Sequence, residues 1–515
     1  MLCFSHFASD GKRWVLTEKR VEKAFWWTLL SATFIKSMLA MVVPMTSDEA
    51  YFVNWGKNLD FGYYDHPPMI GWILKFALFF GDSRFVLRLP TILSTLLIAI
   101  GIYNLLKDRN KTKACMISTL FLVSPFDLLF VLLSTDTPVI LFSFLSAAFL
   151  FRALESNRNV HFLFSGIFFG LAFLSKYFSV LLGLAYLTYF LFTPGKKERT
   201  AGFAILFLSA MPFVCINIYW NYTHCWANLM FNLINRNRDI GFSPVKVLIF
   251  MVMQLYLFTP PFTYYLAKKK KEILKSNTEH AGGYRFFAYL FCVPIAVFFL
   301  LSFRKTVGLH WVLAFYPFAY LSMFYVLDEM ELKKSIKFMM IFSLVHLVLI
   351  GTAWSIPLKY VRNYKNYNTI VMGMKPSEMK KALSFFENSF VFSTESYALS
   401  AVMSYNYGRY FFVFGGGSYH ARQDDIITDF RKLDGKDILI LRRSEPVAET
   451  YLPYFKKVEV KRFEVENAVF PVILGYGFIY EKYKQDVLVQ IRERYYDIPS
   501  YFPCRSCYFT ERYFP

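Results

Sequence analysis

Apolar residues fall along this chain in long blocks rather than at the spacing of an amphipathic helix or a half-buried strand. Each block runs for roughly sixteen to twenty-two residues, the length a helix needs to cross the hydrocarbon of a bilayer. About eleven such spans can be drawn, near 24–45, 85–106, 113–131, 137–153, 160–176, 178–193, 200–219, 246–266, 285–303, 310–327 and 336–356. The first apolar run, Ala24 to Val43, is longer than the apolar stretch of a signal peptide, and no small-residue cleavage site follows it, so it is expected to remain as a span. After residue 357 the pattern changes. Short apolar runs such as Asp437–Leu441 and Val469–Leu474 alternate with charged stretches and turn residues, which predicts strands and helices in water. The predicted fold is an α-helical polytopic membrane domain over 1–356, with a long loop at 46–84, followed by a soluble α/β domain over 357–515.

Composition agrees with this division. Hydrophobic residues make up 56% and charged residues 18% of the 515, against about a quarter charged in soluble proteins. The net charge of +20 raises the question of nucleic acid. Its distribution answers it: Lys and Arg sit in short clusters between apolar blocks, as they do in cytoplasmic loops. Lys12, Arg13, Lys19, Arg20 and Lys23 precede the first span. Threading onward, Lys107, Arg109, Lys111 and Lys113, then Lys196, Lys197 and Arg199, then Lys268 to Lys271, then Lys333, Lys334 and Lys337 all fall on that same side. The N-terminus is therefore expected in the cytoplasm, and an odd number of spans leaves 357–515 on the outer side, the periplasm of a bacterial-type inner membrane. No nucleic-acid partner is expected. Of seven Cys, only Cys504 and Cys507 are close enough to suggest a pair. Without a second pair to complete a zinc site they read as a local disulfide or as two idle thiols.

With that orientation, the unusual polar residues collect at the outer edge. The loop 46–84 carries Asp48, Glu49, Asp65 and His66; span ends and later loops add Asp136, Lys176, Tyr177, His224, Trp226, Arg236, Arg238, Arg304, Lys305 and His310. Charged groups at span ends are costly against lipid, so these are expected to line a shared cavity. A carboxylate there can take a proton from an attacking hydroxyl. Cations beside it can stabilise charge building on a departing phosphate. An apolar groove between spans can hold a lipid tail while its head group sits in water. Transfer of a lipid-linked group is the economical reading.

The run Asp48-Glu49-Ala-Tyr51…Trp55…Leu59-Asp60-Phe-Gly62-Tyr-Tyr-Asp65-His66-Pro67-Pro68 resembles the first-loop signature of the protein O-mannosyltransferase and lipid A aminoarabinose transferase superfamily. Thr135-Asp136-Thr-Pro138, Leu174-Ser-Lys176-Tyr177, Trp220-Asn221…His224-Cys-Trp226 and His310-Trp311 follow in order, and a weaker match continues into Ser393-Thr-Glu-Ser-Tyr397. The resemblance implies the C-type glycosyltransferase (GT-C) fold and a polyprenyl-phosphate sugar donor. It implies an acceptor that is a glycolipid, a glycan or a protein, and inversion at the anomeric carbon. It casts Asp48 as catalytic base or as organiser of the acceptor, with Glu49 beside it, and Lys176 with Tyr177 at the donor phosphate. Some relatives have Glu-Lys where this chain has Asp65-His66, the acid there holding a divalent metal; the chain departs from them by placing His66 where they have Lys. Asp65 and His66 are thus candidate ligands for a divalent cation.

Plainer roles stand beside these. Asp136 can be the N-cap of the fourth span, with Pro138 in its first turn, and Lys176 can reach toward the interface from a helix end. His224, Trp226 and His310 can be interfacial packing. Arg236, Arg238, Arg304 and Lys305 depart from the charge rule by lying outside, which suits binding of a phosphate or an anionic acceptor. An oligosaccharide ligase or polymerase would share this outer-face chemistry. A transporter or flippase of lipid-linked sugars would instead place its ionisable groups near the bilayer midplane.

Overall fold

The computed structural model describes residues 18–128, 130–193, 196–235, 241–269, 281–415, 423–503 and 505–515. Among them, eight helices are long and apolar enough to cross a membrane. Helix α1 (Glu18–Val42) leads into α2 (Ser47–Lys57) and α3 (Met69–Phe80), both within the loop, and then α4 (Arg84–Leu106), α5 (Lys111–Leu122) and α6 (Pro125–Leu128). Next come α7 (Asp136–Ser156), α8 (Asn159–Phe173), α9 (Val180–Phe192) and α10 (Lys196–Thr223), and then the helices Pro244–Lys268, Ala281–Ser302, Tyr316–Val326 and Glu329–Ser355.

Every predicted span is helical, but four are shorter than drawn. The span 310–327 enters through two short 3-10 turns and is α-helical only over Tyr316–Val326. The segment 113–131 breaks after Leu122, because Pro125 lacks an N–H and excludes the helical conformation from the residue before it. Helix α8 has 15 residues and α9 has 13, joined by a tight turn at Tyr177–Ser179. Helix α3 was not foreseen. It is strongly apolar and leaves Phe76, Phe79 and Phe80 exposed at 70%, 85% and 62%; such a face suits a helix lying in the membrane interface.

Several basic clusters meet at one end. Lys111 pairs with Glu22 at 2.8 Å and Lys269 with Glu331 at 2.7 Å, while Lys113 lies 5.1 Å above the ring of Phe324. The start of α1, the α4–α5 connection and the facing ends of the later helices are thus gathered a full helix length away from the loop that follows α1.

The soluble region holds a five-stranded sheet in the order β2-β1-β3-β5-β4. Strand β1 (Val391–Thr394) pairs in parallel with β2 (Phe412–Val413) and β3 (Ile438–Leu441), while β5 (Ala468–Phe478) runs antiparallel to β3 and to β4 (Phe455–Val465). Glu466 and Asn467 connect β4 to β5 with φ of 51° and 62°, the left-handed pair a tight hairpin turn demands. Alternation along the strands buries both faces. Leu439, Leu441, Val472 and Leu474 pack with Leu399 and Met403. On the other face, Phe412, Ile438, Ile440 and Ile473 share a core with Tyr64, Cys225 and Phe231 from the membrane half. The sheet is therefore seated directly on the loops that follow α1 and α10.

One expectation is corrected here. Cys507 bonds to Cys225, 282 residues earlier; Cys504 lies outside the described residues. The pairing follows from the path of the last segment, which lies along the loop after α10. The N–H of Arg505 donates to Tyr222 O at 3.1 Å, Ser506 Oγ to Thr223 O at 3.0 Å, and Trp226 Nε1 to Pro503 O at 2.9 Å.

Candidate active site

Helix α2 begins with a capping box. Thr46 accepts from the N–H of Glu49 at 3.3 Å while the Glu49 carboxylate accepts from the N–H of Thr46 at 3.1 Å. Asp48 stands in this first turn, where the helix dipole favours a negative charge. It faces a cavity of about 670 Å³ that is also lined by Tyr51, Asp65, His66, Asp136, Lys176, Tyr177, Lys305 and His310. Eight of the fourteen candidate residues, from four separate stretches of sequence, therefore share one space.

Glu49 does not, contrary to its expected place beside the reacting groups. Its carboxylate is gripped from both sides by Arg88, Nε and Nη2 each lying 2.7 Å from one oxygen, and it also accepts from the N–H of Leu133 at 2.9 Å. Arg88 is fully buried and donates further to the carbonyls of Ala40, Val43 and Pro44 at 3.0, 2.7 and 2.8 Å. Glu49 thus ties the end of α1, the start of α2, α4 and the chain at Leu133 into one joint.

The stretch holding Asp65 and His66 is stitched in from three directions. Tyr63 N–H closes a turn onto His66 O at 3.0 Å. From the loop after α10, Asn228 Nδ2 donates to Tyr63 O and Asn232 Nδ2 to Asp65 O, both at 2.9 Å. From the soluble region, Gln423 accepts from the N–H of Tyr64 at 2.8 Å and its own N–H donates to Tyr51 Oη at 3.0 Å. Tyr51 Oη in turn lies 3.5 Å from Asp65 Oδ1. Burial, and then the neighbouring Asp65 carboxylate, push the Tyr51 phenol well above its ordinary range, so it stays a protonated donor. Gly62 is required locally, since a Cβ there would lie 2.3 Å from the ring of Trp220, which donates to Asp60 at 3.0 Å.

On the side of the spans, Lys176 Nζ lies 2.6 Å from Asp136 Oδ1, both side chains nearly buried. Asp136 is the first residue of α7, not its N-cap; Thr135 holds that position without a capping bond. The plainer role foreseen for Asp136 is replaced by that of counter-ion. Tyr177 donates from Oη to Asn217 Oδ1 at 2.9 Å, and Lys305 lies 5.7 Å from the centre of the Trp311 ring.

The remaining candidates fall elsewhere. His224 stacks on Trp220 at 4.5 Å with Nε2 4.0 Å from Asp60, away from the cavity. Arg304 does not line the cavity; its carbonyl accepts from Lys246 at 2.8 Å. Arg236 and Arg238 lie outside the described residues. Asp65 and His66 bring two donor groups to the cavity, but among the described residues no three His, Cys, Asp or Glu side chains gather as a metal-ligand set. Sequence reasoning missed Phe231, Asn232 and Tyr397, which also line the space. The fourfold spacing of Asn228 and Asn232, one helical turn, was the available signal for Asn232.

Comparison with known proteins bears on this geometry. The family described as dolichyl-phosphate-mannose-protein mannosyltransferase matches residues 65–220. The lipid A galacturonosyltransferase RgtD of Rhizobium johnstonii is 29% identical over 184 residues, 34% of this chain and 38% of that protein. The chain thus aligns with well under half the length of that curated relative. Crystal structures of ArnT from Cupriavidus metallidurans, in the apo state and bound to undecaprenyl phosphate, each superpose with a TM-score of 0.60 at 12% identity, covering 88% of this chain and 98% of theirs. The family match begins at Asp65, inside the first-loop run, and takes in the later runs up to Trp220, and the fold is the GT-C fold of ArnT.

Proposed function

We propose that this chain, built on the ArnT fold, is a glycosyltransferase that moves a monosaccharide from a polyprenyl-phosphate carrier to a glycolipid of the lipid A type. It does so on the outer face of a bacterial inner membrane. The observation that carries the proposal is one cavity with a carboxylate at a helix N-terminus, Asp48, on one side and the cations Lys176 and Lys305, with the imidazole of His310, on the other. The printed activity of RgtD and the undecaprenyl phosphate bound by ArnT support the acceptor and carrier classes. The Cys225–Cys507 disulfide supports the outer side, since such bonds persist in oxidising compartments.

In the reaction an acceptor hydroxyl attacks the anomeric carbon of the donor sugar. Asp48 takes the hydroxyl proton as the new carbon–oxygen bond forms. The bond from that carbon to the carrier phosphate breaks, and the phosphate leaves with the electron pair, opposite the attacking oxygen, so the configuration inverts. Lys176, already desolvated and held by Asp136, meets the charge on the departing phosphate. Lys305, near the end of a later span, adds to the positive side, and the His310 imidazole stands in the same wall.

The test is transfer of radiolabelled sugar from membrane-extracted polyprenyl-phosphate donors to lipid A by the purified protein. Asp48→Asn, still folded, is expected to lose about a hundredfold or more of the rate. Equal rates for the two proteins would remove Asp48 as the base. No transfer by wild type from any polyprenyl donor would remove the transferase reading.

A further inference from the structure

The soluble region does more than sit beside the cavity. Its helix Tyr397–Tyr407 packs onto α2: Ala401, Tyr397 and Val402 join Ala50, Tyr51, Phe52 and Trp55 in one apolar cluster. Tyr405 Oη fixes the far end of the contact by donating to Asp82 O at 3.0 Å. The first residue of this helix, Tyr397, is thereby brought into the cavity wall. Its ring lies 5.2 Å from that of Tyr51, at 60°. The soluble region also holds Tyr51 itself, through the N–H of Gln423.

Two phenol rings at an angle thus stand on the side of the cavity that carries Asp48 and Asp65, while the cations come from the span ends. The two halves suit different ligands. A carrier phosphate is repelled by Asp48 and Asp65 and drawn to Lys305 and to Lys176, whose charge Asp136 partly offsets, with the His310 imidazole as a further hydrogen-bonding group. A sugar ring offers apolar C–H faces, which pack on an aromatic surface, and hydroxyls at its rim, which carboxylates accept from.

We infer that Tyr397 and Tyr51 form the subsite for the acceptor's sugar ring, the ring whose hydroxyl is presented to Asp48. The soluble region is then the part of the chain that selects the acceptor. This rests on the transferase reading, and the experiment separates the two.

Binding of lipid A in detergent micelles and of undecaprenyl phosphate is measured by isothermal titration on the full-length purified protein. Wild type, Tyr397→Ala, Tyr397→Leu and Tyr397→Phe are compared, with sugar transfer assayed in parallel. Tyr397→Ala and Tyr397→Leu are expected to weaken lipid A about fivefold to tenfold, the size of one aromatic contact, and to leave undecaprenyl phosphate unchanged. Leu preserves the volume should Ala disturb folding, and Phe, which keeps the ring, should bind both ligands as wild type does. Unchanged lipid A affinity in the Leu variant, equal weakening of both ligands, or no binding of lipid A by wild type would each overturn the subsite. Lipid A binding that depends on the Tyr397 ring, without any sugar transfer, would instead remove the transferase reading and leave the subsite standing.

Discussion

Asp48 and Glu49 are consecutive and chemically alike, yet a helix turns consecutive side chains about 100° apart. One carboxylate faces the cavity and the other is locked by Arg88. The sequence placed both at the outer edge but could not say which way each pointed, since that depends on an arginine 39 residues further on. The same limit applies to His224 and Arg304: their place at the ends of apolar blocks was legible, the direction in which each side chain points was not. Asp136 and Lys176 came closer to full legibility, each at the end of an apolar block, although their pairing was visible only in space. The two acids should behave differently when perturbed. Arg88→Met leaves Glu49 buried without its cation and is expected to cost about 3–5 kcal/mol, read as a lower melting temperature in detergent. Asp48→Asn should leave that temperature nearly unchanged while abolishing transfer. A melting point unmoved by Arg88→Met would mean the joint contributes little to the fold.

Single elements show what hydropathy reads well and what it does not. It located each of the eight helices long enough to span, because the length of an apolar block is set by the bilayer. It overran the third span, where Pro125 stops α5 and the chain runs through α6 into the non-helical stretch that floors the cavity with Phe130, Leu132 and Leu133. That interruption is anchored by a charge inside the membrane half. Lys36 of α1, buried at 1% exposure, donates to Asp127 O at 2.8 Å and to Thr95 Oγ1 of α4, with Asp127 Oδ1 at 3.4 Å. Removing one partner strands the other. Lys36→Met is expected to destabilise by roughly 3–5 kcal/mol, whereas the double change with Asp127→Leu should recover most of the loss. Thermal unfolding of the three proteins reads this directly, and a double variant no better than Lys36→Met would place the role of Lys36 elsewhere. Helix α3 escaped notice because it is half the length of a span and lies inside a loop rich in polar residues.

Across the whole molecule, the change of pattern near residue 357 announced a soluble region, and the strands at 437–441 and 469–474 lie where alternation put them. How that region meets the membrane half was not legible, for the contacts join residues hundreds of positions apart. Gln423 to Tyr51 and Cys507 to Cys225 are the examples that matter to the site. The disulfide closes a loop of 282 residues, and long loops contribute at the upper end of the roughly 2–5 kcal/mol range for native bridges. Cys225→Ser with Cys507→Ser should therefore melt well below wild type. Reductant should bring wild type down to the double variant and leave the double variant unmoved; insensitivity of wild type to reductant would show the bridge to be dispensable.

The bridge also imposes an order on biosynthesis. Cys225 leaves the ribosome 282 residues ahead of Cys507, so the loop bearing Phe231 and Asn232 must wait for its fastening to arrive. Until Cys507 has been made and oxidised, Asn228 and Asn232 hold Tyr63 and Asp65 from a loop that is not yet secured. A nascent chain caught part-way therefore carries the half of the cavity built by the spans without the wall that the later segments complete.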